Sequence, residues 1–547
     1  MKKSLLSIAL LTASLQLNAQ ISLFKDCNPG ADGSYAGHTS DMIDVGTKSF
    51  FTAYSDATGT ELWVTDGTTA GTAMVVDLLP GSDDGVIYYT NGIAFNGMLY
   101  FIGNDGNTGY EIWKTDGTAA GTVLLKDIDP DNTLYTRTRN LIIYNGKLYF
   151  DYWKQFESKV ELWSTDGTTA GTTLVKSFDS PAVNEDYLTQ FTVFNNKLYF
   201  SAYDGTDGRE LWSTDGTTGG TTMVEDLNPG MNSSQPGALT VLGNNLYLTY
   251  THPTDGRTLF KMDAAENFSL VKDIFQGAGD TQIYYMTVAN NKLYFSAISP
   301  QYGREMWVSD GTEVGTYVFD LNSGTDGTTT GDYYWFNNKL FFFANLANGI
   351  EVYVSDGATL AGTTLLKDIN PGTANSYPFG FHSFNGKLYF LAYTDADGTE
   401  IWSTDGTTAG TSMVMDLNPG AGEGINTGSE SASYMHTFNN RLFIYGNDGT
   451  HGDELMILDE AGTASVSENQ ELTFDIFPNP ATTFVTISNL PIDAQMIVLD
   501  QTGRIVKKET TNAFSMQLTT SEMHSGIYFV RVTGKNGETS TQKLVIE

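Results

Sequence analysis

A glutamate followed two residues later by tryptophan and then by Asp-Gly-Thr recurs along this chain. The first copy is Glu61-Leu62-Trp63-Val64-Thr65-Asp66-Gly67-Thr68, and close copies are headed by Glu111, Glu161, Glu210, Glu305, Glu351, Glu400 and Glu454, with Thr258 heading a worn one. Carboxylates invite a glycosidase reading, but that chemistry needs one privileged pair flanking the scissile bond. A glutamate present in nearly every copy reads instead as structural, bonding to backbone or to Ser and Thr of neighbouring segments. Its companion tryptophans (Trp63, Trp113, Trp163, Trp212, Trp307, Trp402) read as core anchors. The loop Asp405 to Thr411 is glycine-rich, yet it lacks the Lys-Ser/Thr of a phosphate loop and the terminal Glu of an EF-hand; a turn with positive φ at its glycines accounts for it. The six histidines (His38, His252, His382, His436, His451, His524) are scattered without metal-ligand spacing, and no Gly-x-Ser-x-Gly nucleophile motif occurs. The balance is against an enzyme.

These residues must be positioned by a repeating unit of about 50 residues, a period that signals a propeller, solenoid or array. In the copy around Glu400, Gly380 to Phe384 forms a first strand and Asn385-Gly386 turns the chain. Leu388 to Tyr393, Glu400 to Thr404 and Met413 to Leu417 follow as three more strands. Asn-Gly between apolar runs is a strong hairpin signal, because both positions accept positive φ. Four strands per unit make a propeller blade. The chain opens with Ile21 to Gly30, which matches the last strand of a unit, while the last copy, from Glu454, lacks that strand. The expected fold is therefore all-β: a nine-bladed β-propeller closed by the N-terminal strand, with eight blades or an open array as alternatives.

Alternating strands place the second-to-third loops and the crossings between units on one rim. Residues that differ between copies gather there, and the expected ligand contacts are Tyr88, Tyr89, Tyr135, Arg137, Arg139, Trp153, Tyr284, Tyr285, Tyr334 and Trp335. Aromatics of this kind stack on sugars or receive a peptide. The oxygen-rich pairs Asp204/Asp207 and Asp395/Asp397 are of the type that holds Ca²⁺, the one cofactor the sequence suggests.

The formal net charge is -35, and 56 of the 64 acids but only 21 of the 29 bases fall between residues 20 and 470. Such a surface is unsuited to nucleic acid. Lys2 and Lys3, the apolar run Leu5 to Leu11 and Leu17-Asn18-Ala19 before Gln20 read as a secretory signal peptide cut between Ala19 and Gln20. No other stretch reaches the about 20 apolar residues of a transmembrane helix. Cys27 is the single cysteine, so no intrachain disulfide forms. Four organisational segments follow: 1–19 signal peptide, 20–462 repeats, 463–471 linker, and 472–547, whose short alternating strands predict a small immunoglobulin-like β-sandwich.

The repeats resemble the ELWxxDGT-repeat family, a resemblance that implies no activity. The tail resembles the type IX secretion C-terminal sorting domain in Phe477-Pro478-Asn479-Pro480, in Asp500 to Arg504 with Gly503, in Ser525 to Val532 with Gly526, and in the final Lys543-Leu544-Val545-Ile546. That resemblance implies the type IX secretion machinery as partner, passage through the outer membrane of a Gram-negative cell, and a protein that is secreted or attached to its surface. The expected function is a secreted or surface-displayed binding and adhesion scaffold for a glycan or protein. The alternatives are an extracellular glycoside hydrolase or lyase built on a propeller, and a Ca²⁺-stabilised structural surface protein.

Overall fold

The computed structural model describes residues 20–546 apart from 31, 37–41, 87–91, 131–135, 139, 155–156, 180–187, 427–433, 460–473, 478, 482–483, 489, 492–493, 512–514, 521–522 and 535–538. It divides into two compact units, Met1–Ala461 and Gly462–Glu547. In the first, each repeat folds as an antiparallel sheet whose strands pair in sequence order. The copy around Glu400 gives Phe379–Phe384, Lys387–Thr394, Gly398–Thr404 and Ser412–Met415. Asn385 (φ 46°) and Gly386 (φ 73°) make the tight turn between the first two strands, both left-handed as the Asn-Gly pair allows. Leu388, Tyr389, Phe390 and Leu391 are all buried, so this strand is apolar on both faces and must be covered from both sides.

Among the described residues nine such sheets occur, numbered here first to ninth by the order of their Glu (Thr258 in the fifth); the third carries an extra short strand, Thr136–Arg137. The ninth sheet consists of Met435–Phe438, Arg441–Asn447 and Asp453–Asp459, and takes its fourth strand from the other end of the chain, Gln20–Lys25. Ile21 lies opposite Leu458 and Leu23 opposite Met456.

Apolar side chains fill the space between every pair of consecutive sheets. A further cluster, with Phe24 and Phe443 from the ninth sheet and Phe51 from the first, joins the last sheet to the first. Polar stitches reinforce the seams. Lys126, just beyond the last strand of its sheet, and Lys176 and Lys367, on the last strands of theirs, donate to the carbonyls of Thr172, Thr221 and Thr411 in the next sheet. Their ammonium groups lie 5.2, 4.7 and 5.6 Å from the rings of Trp163, Trp212 and Trp402, a cation–π contact. The Asp-Gly-Thr loops close on themselves: the Asp405 carboxylate accepts from the Thr407 N–H and hydroxyl, and the Thr404 and Thr411 hydroxyls bond at 2.7 Å.

The second unit holds two antiparallel sheets, one of Asp475–Phe477, Phe484–Ser488 and Ser515–Thr519, the other of Gln495–Asp500, Ile505–Thr510, Gly526–Thr533 and Thr539–Ile546. They share a core that includes Val485, Ile487, Met496, Val498, Val530 and Leu544. Among the described residues no helix is long and apolar enough to cross a membrane.

Candidate functional site

The repeated glutamate sits at the start of the third strand, fully buried in seven of its eight copies and 7 % exposed at Glu161. Its carboxyl reaches the chain crossing from its own sheet to the next. Glu400 accepts from Leu417 N–H (3.1 Å) and Gly424 N–H (2.9 Å). Glu210 accepts from Leu227 N–H, Ser234 N–H and the Ser234 hydroxyl. Glu454 takes Cys27 N–H, Asn28 N–H, Ser34 N–H and the Ser34 hydroxyl, so the same clamp binds the chain's beginning to its last sheet. Where the hydroxyl is missing, at Gly85 and Gly424, a Cβ would stand 2.2 Å from the Glu61 or Glu400 carboxyl oxygen, which leaves room for glycine alone. Burial pushes the carboxyls of Glu61, Glu111, Glu305 and Glu400 up to about 8 and those of Glu210 and Glu454 up to about 7, with the nearby aspartate of the crossing adding to the rise and the N–H donors opposing it. Glu161 differs: it accepts from the Trp163 indole N–H at 2.9 Å.

The Glu454, Glu210 and Glu351 clamps position the residue that follows Ser34, Ser234 and Ser376, while in the fifth sheet, which has Thr258 in place of Glu, the Thr281 N–H and hydroxyl donate instead to the Arg257 carbonyl. Tyr35, Gln235, Gln282 and Tyr377 occupy this place in four crossings, each with positive φ (51°, 50°, 43°, 45°) and each exposed. Further bonds fix the same segment. Arg257 donates to the Gln235 carbonyl at 2.6 Å; Arg304 donates to the Gln282 carbonyl at 3.0 Å and to its side-chain oxygen at 2.8 Å. Asn375 donates to the Tyr377 hydroxyl at 2.8 Å. Two neighbours at the start of the sixth sheet, Tyr284 and Tyr285, are about half exposed (54 and 52 %), and the Arg304 guanidinium lies 4.8 Å over the Tyr284 ring. An exposed rim of tyrosines and amides thus stands on crossings held by buried carboxyls in three cases and by the Arg257 carbonyl in the fourth.

The sequence-predicted contacts fall in several places. Tyr88, Tyr89, Tyr135 and Arg139 lie outside the described residues, as does the Arg137 side chain; the Arg137 backbone pairs with Trp153. Trp153 is buried, 7 % exposed, in the core between the third and fourth sheets. The first strand of the seventh sheet runs Thr330–Phe336, which carries Tyr334 and Trp335 away from the crossing toward the Asn337-Asn338 turn. There Tyr334 packs against Phe381, and Trp335 packs on the core between the sixth and seventh sheets. Sequence reading missed Tyr35, Gln235, Gln282 and Tyr377, although a signal was present: in three of the four crossings Ser stands six residues, and the exposed residue seven, after the Asn of Asn-Pro-Gly.

The carboxylates considered for Ca²⁺ serve their own turns. Asp204 accepts from Thr206 N–H, Asp207 N–H and the Thr206 hydroxyl. Asp397 accepts from the Thr394 hydroxyl, and Asp395 from the Asn370 amide. A cation there would have to displace these donors. Among the described residues no three His, Cys, Asp or Glu side chains gather in a metal-holding group.

In the second unit Asn479 bridges to the final strand, donating to the Lys543 carbonyl and accepting from Val545 N–H. Asp500 closes its turn by accepting from Thr502 and Arg504, with Gly503 at φ 83°. Pro480 follows Asn479 and Gly526 opens the strand Gly526–Thr533 that pairs with the last one; Pro478 lies outside the described residues.

Fold and site together define a class: an all-β chain of four-stranded antiparallel sheets, propeller-like, with a separate C-terminal β unit. Residues 475–547 match the family described as the secretion system C-terminal sorting domain. That domain directs a protein through type IX secretion, to the medium or to the outer-membrane surface. No curated protein matches the chain. Among solved structures, the chain is similar to PorZ, a surface component of the type-IX secretion system of Porphyromonas gingivalis, at 12% identity over 94% of this chain and 86% of that one, with a TM-score of 0.29. It is also similar to the β-propeller domain of the Trilobed protease from Pyrococcus furiosus (12% identity, 60% of this chain, 95% of that one, TM-score 0.31). A third is a puromycin hydrolase, of which it spans 59% while 68% of this chain is covered (12% identity, TM-score 0.35). No activity is carried over from these three.

Proposed function

We propose that the chain is a nine-bladed propeller, closed by its N-terminal strand, that type IX secretion delivers to the cell surface or the medium, where its crossing rim binds an extracellular glycan or protein. The observation that carries the binding reading is the division of labour within the repeat. Buried Glu, Trp and the Asp-Gly-Thr loop serve the sheets and their seams, while the exposed residues that differ between copies stand on the crossings. An enzymatic reading would need a solvent-facing carboxylate pair, and the repeated glutamates are buried and engaged by N–H donors. The export step is supported by the sorting-domain match.

Two measurements on the producing cells test this. Surface proteolysis of intact cells should digest the full-length protein and spare a version truncated after residue 470, which stays inside. The purified chain should adhere to envelope or extracellular-matrix material and lose adhesion when the crossing rim is blocked. Export of the truncated protein, or no adhesion to any such material, would contradict the reading.

A further inference from the structure

Backbone at positive φ crowds the Cβ of an L residue against its own carbonyl, so chains place Gly or Asn there. This chain follows the rule in the turns between first and second strands and departs from it at several crossings. In the turns between first and second strands, every positive-φ position is Asn or Gly, from Gly46 through Asn96-Gly97 to Asn439-Asn440. At the matching crossing position, one residue after Ser34, Ser234, Thr281 and Ser376, the same left-handed backbone carries Tyr35, Gln235, Gln282 and Tyr377. These side chains are exposed, with Tyr35 at 41 % and Tyr377 at 53 %, so burial does not repay the strain. Gln190 and Asp332, also at positive φ, have a structural task. Gln190 accepts from Leu239 N–H and Asp332 from Gly380 N–H, each bridging to the next sheet.

We infer that Tyr35, Gln235, Gln282 and Tyr377 are the ligand-contacting residues of the crossing rim and that their ligand is a neutral polysaccharide; this rests on the binding reading above and names its contacts and ligand class. Tyrosine offers a flat apolar face for a sugar ring, and glutamine offers both a donor and an acceptor to hydroxyls. Neither carries charge. Arg257 and Arg304 are turned to the carbonyls of Gln235 and Gln282, and the chain as a whole is strongly acidic, which disfavours an anionic polymer. The Asn375 bond to the Tyr377 hydroxyl and the Arg304 bond to the Gln282 side chain hold these groups in place before a ligand arrives, which lowers the ordering cost of binding.

The test uses the chain from Gln20 to Glu547 and, as probes, soluble β-1,3-glucan, mannan and galactan with dextran sulfate as the anionic comparison, read by affinity electrophoresis and calorimetry. At least one neutral polymer should bind and dextran sulfate should not. Tyr377→Asn and Gln282→Gly should each weaken binding by at least about tenfold while the melting temperature holds or rises, because both replacements suit the left-handed backbone. Val314→Asn, on the far rim where Val314 is 94 % exposed, should bind as the parent does. Failure of all three neutral polymers, or binding of dextran sulfate alone, overturns the ligand class. Binding that survives both substitutions, or a lowered melting temperature in them, overturns the assigned contacts. In either case rim-dependent adhesion to envelope material would still stand, so the two readings fail separately.

Discussion

Glu400 is a buried acid whose role is to organise backbone, and its energetics follow from its partners. Glu400→Ala would leave the Leu417 and Gly424 N–H groups buried without an acceptor, at a cost of about 1–3 kcal/mol for each unsatisfied group. The clamps also set a pH dependence. The carboxyls of Glu210 and Glu400 are raised in the folded chain from 4.5 to about 7 and about 8, so between these values the native state binds more protons than the unfolded one. Stability therefore falls as pH rises through that window. The urea midpoint should be lower at pH 8.5 than at pH 5, and Glu400→Gln, which does not titrate, should reduce the drop; a parent protein more stable at pH 8.5 would contradict this. The structural role of the glutamate was legible in sequence because a residue repeated in eight of nine copies does not serve as a unique catalyst. Its partner was not, because the clamped N–H groups belong to backbone, which composition does not mark. Tyr334 and Trp335 illustrate the opposite difficulty: an exposed aromatic and a core aromatic look alike until the strand's starting point, here Thr330, is known.

At the scale of elements, the hairpins were readable from Asn-Gly and Asn-Asn pairs. The pairing of Gln20–Lys25 with Asp453–Asp459 was anticipated from what each end of the repeat array lacks. The seam chemistry was hidden, since a lysine on one sheet gives no local hint that its ammonium will meet a Thr carbonyl and a Trp ring of the next. The N-terminal strand is held by apolar contacts as well as its ladder. Phe24, 5 % exposed, meets Phe443 edge-on with ring centroids 5.0 Å apart. Phe24→Ala should destabilise the first unit by about 3–5 kcal/mol. Cys27, the only cysteine, is buried two residues beyond this strand and burial pushes its thiol up, so it reports on the seam. A thiol reagent should label the parent protein slowly and Phe24→Ala markedly faster under native conditions. Equal labelling rates would mean that the strand does not guard the closure.

For the whole molecule, the account separates address from activity. The sorting domain at residues 475–547 explains where the protein goes. The repeat array explains how a surface of differing side chains is mounted on an unvarying frame. The acidity of the repeats sits with that picture, since the bases with described partners are largely engaged in seams and crossings, as with Lys126 and Arg304. The central claim is that one rim of the array binds and the other does not. Single cysteines placed at Thr373, exposed in a crossing, and at Val314, exposed on the opposite rim, can each be coupled to a bulky maleimide polymer while the native Cys27 stays buried. Adhesion to envelope material should be abolished by the adduct at residue 373 and unchanged by the adduct at residue 314. Loss of adhesion with the second adduct and not the first would contradict the account.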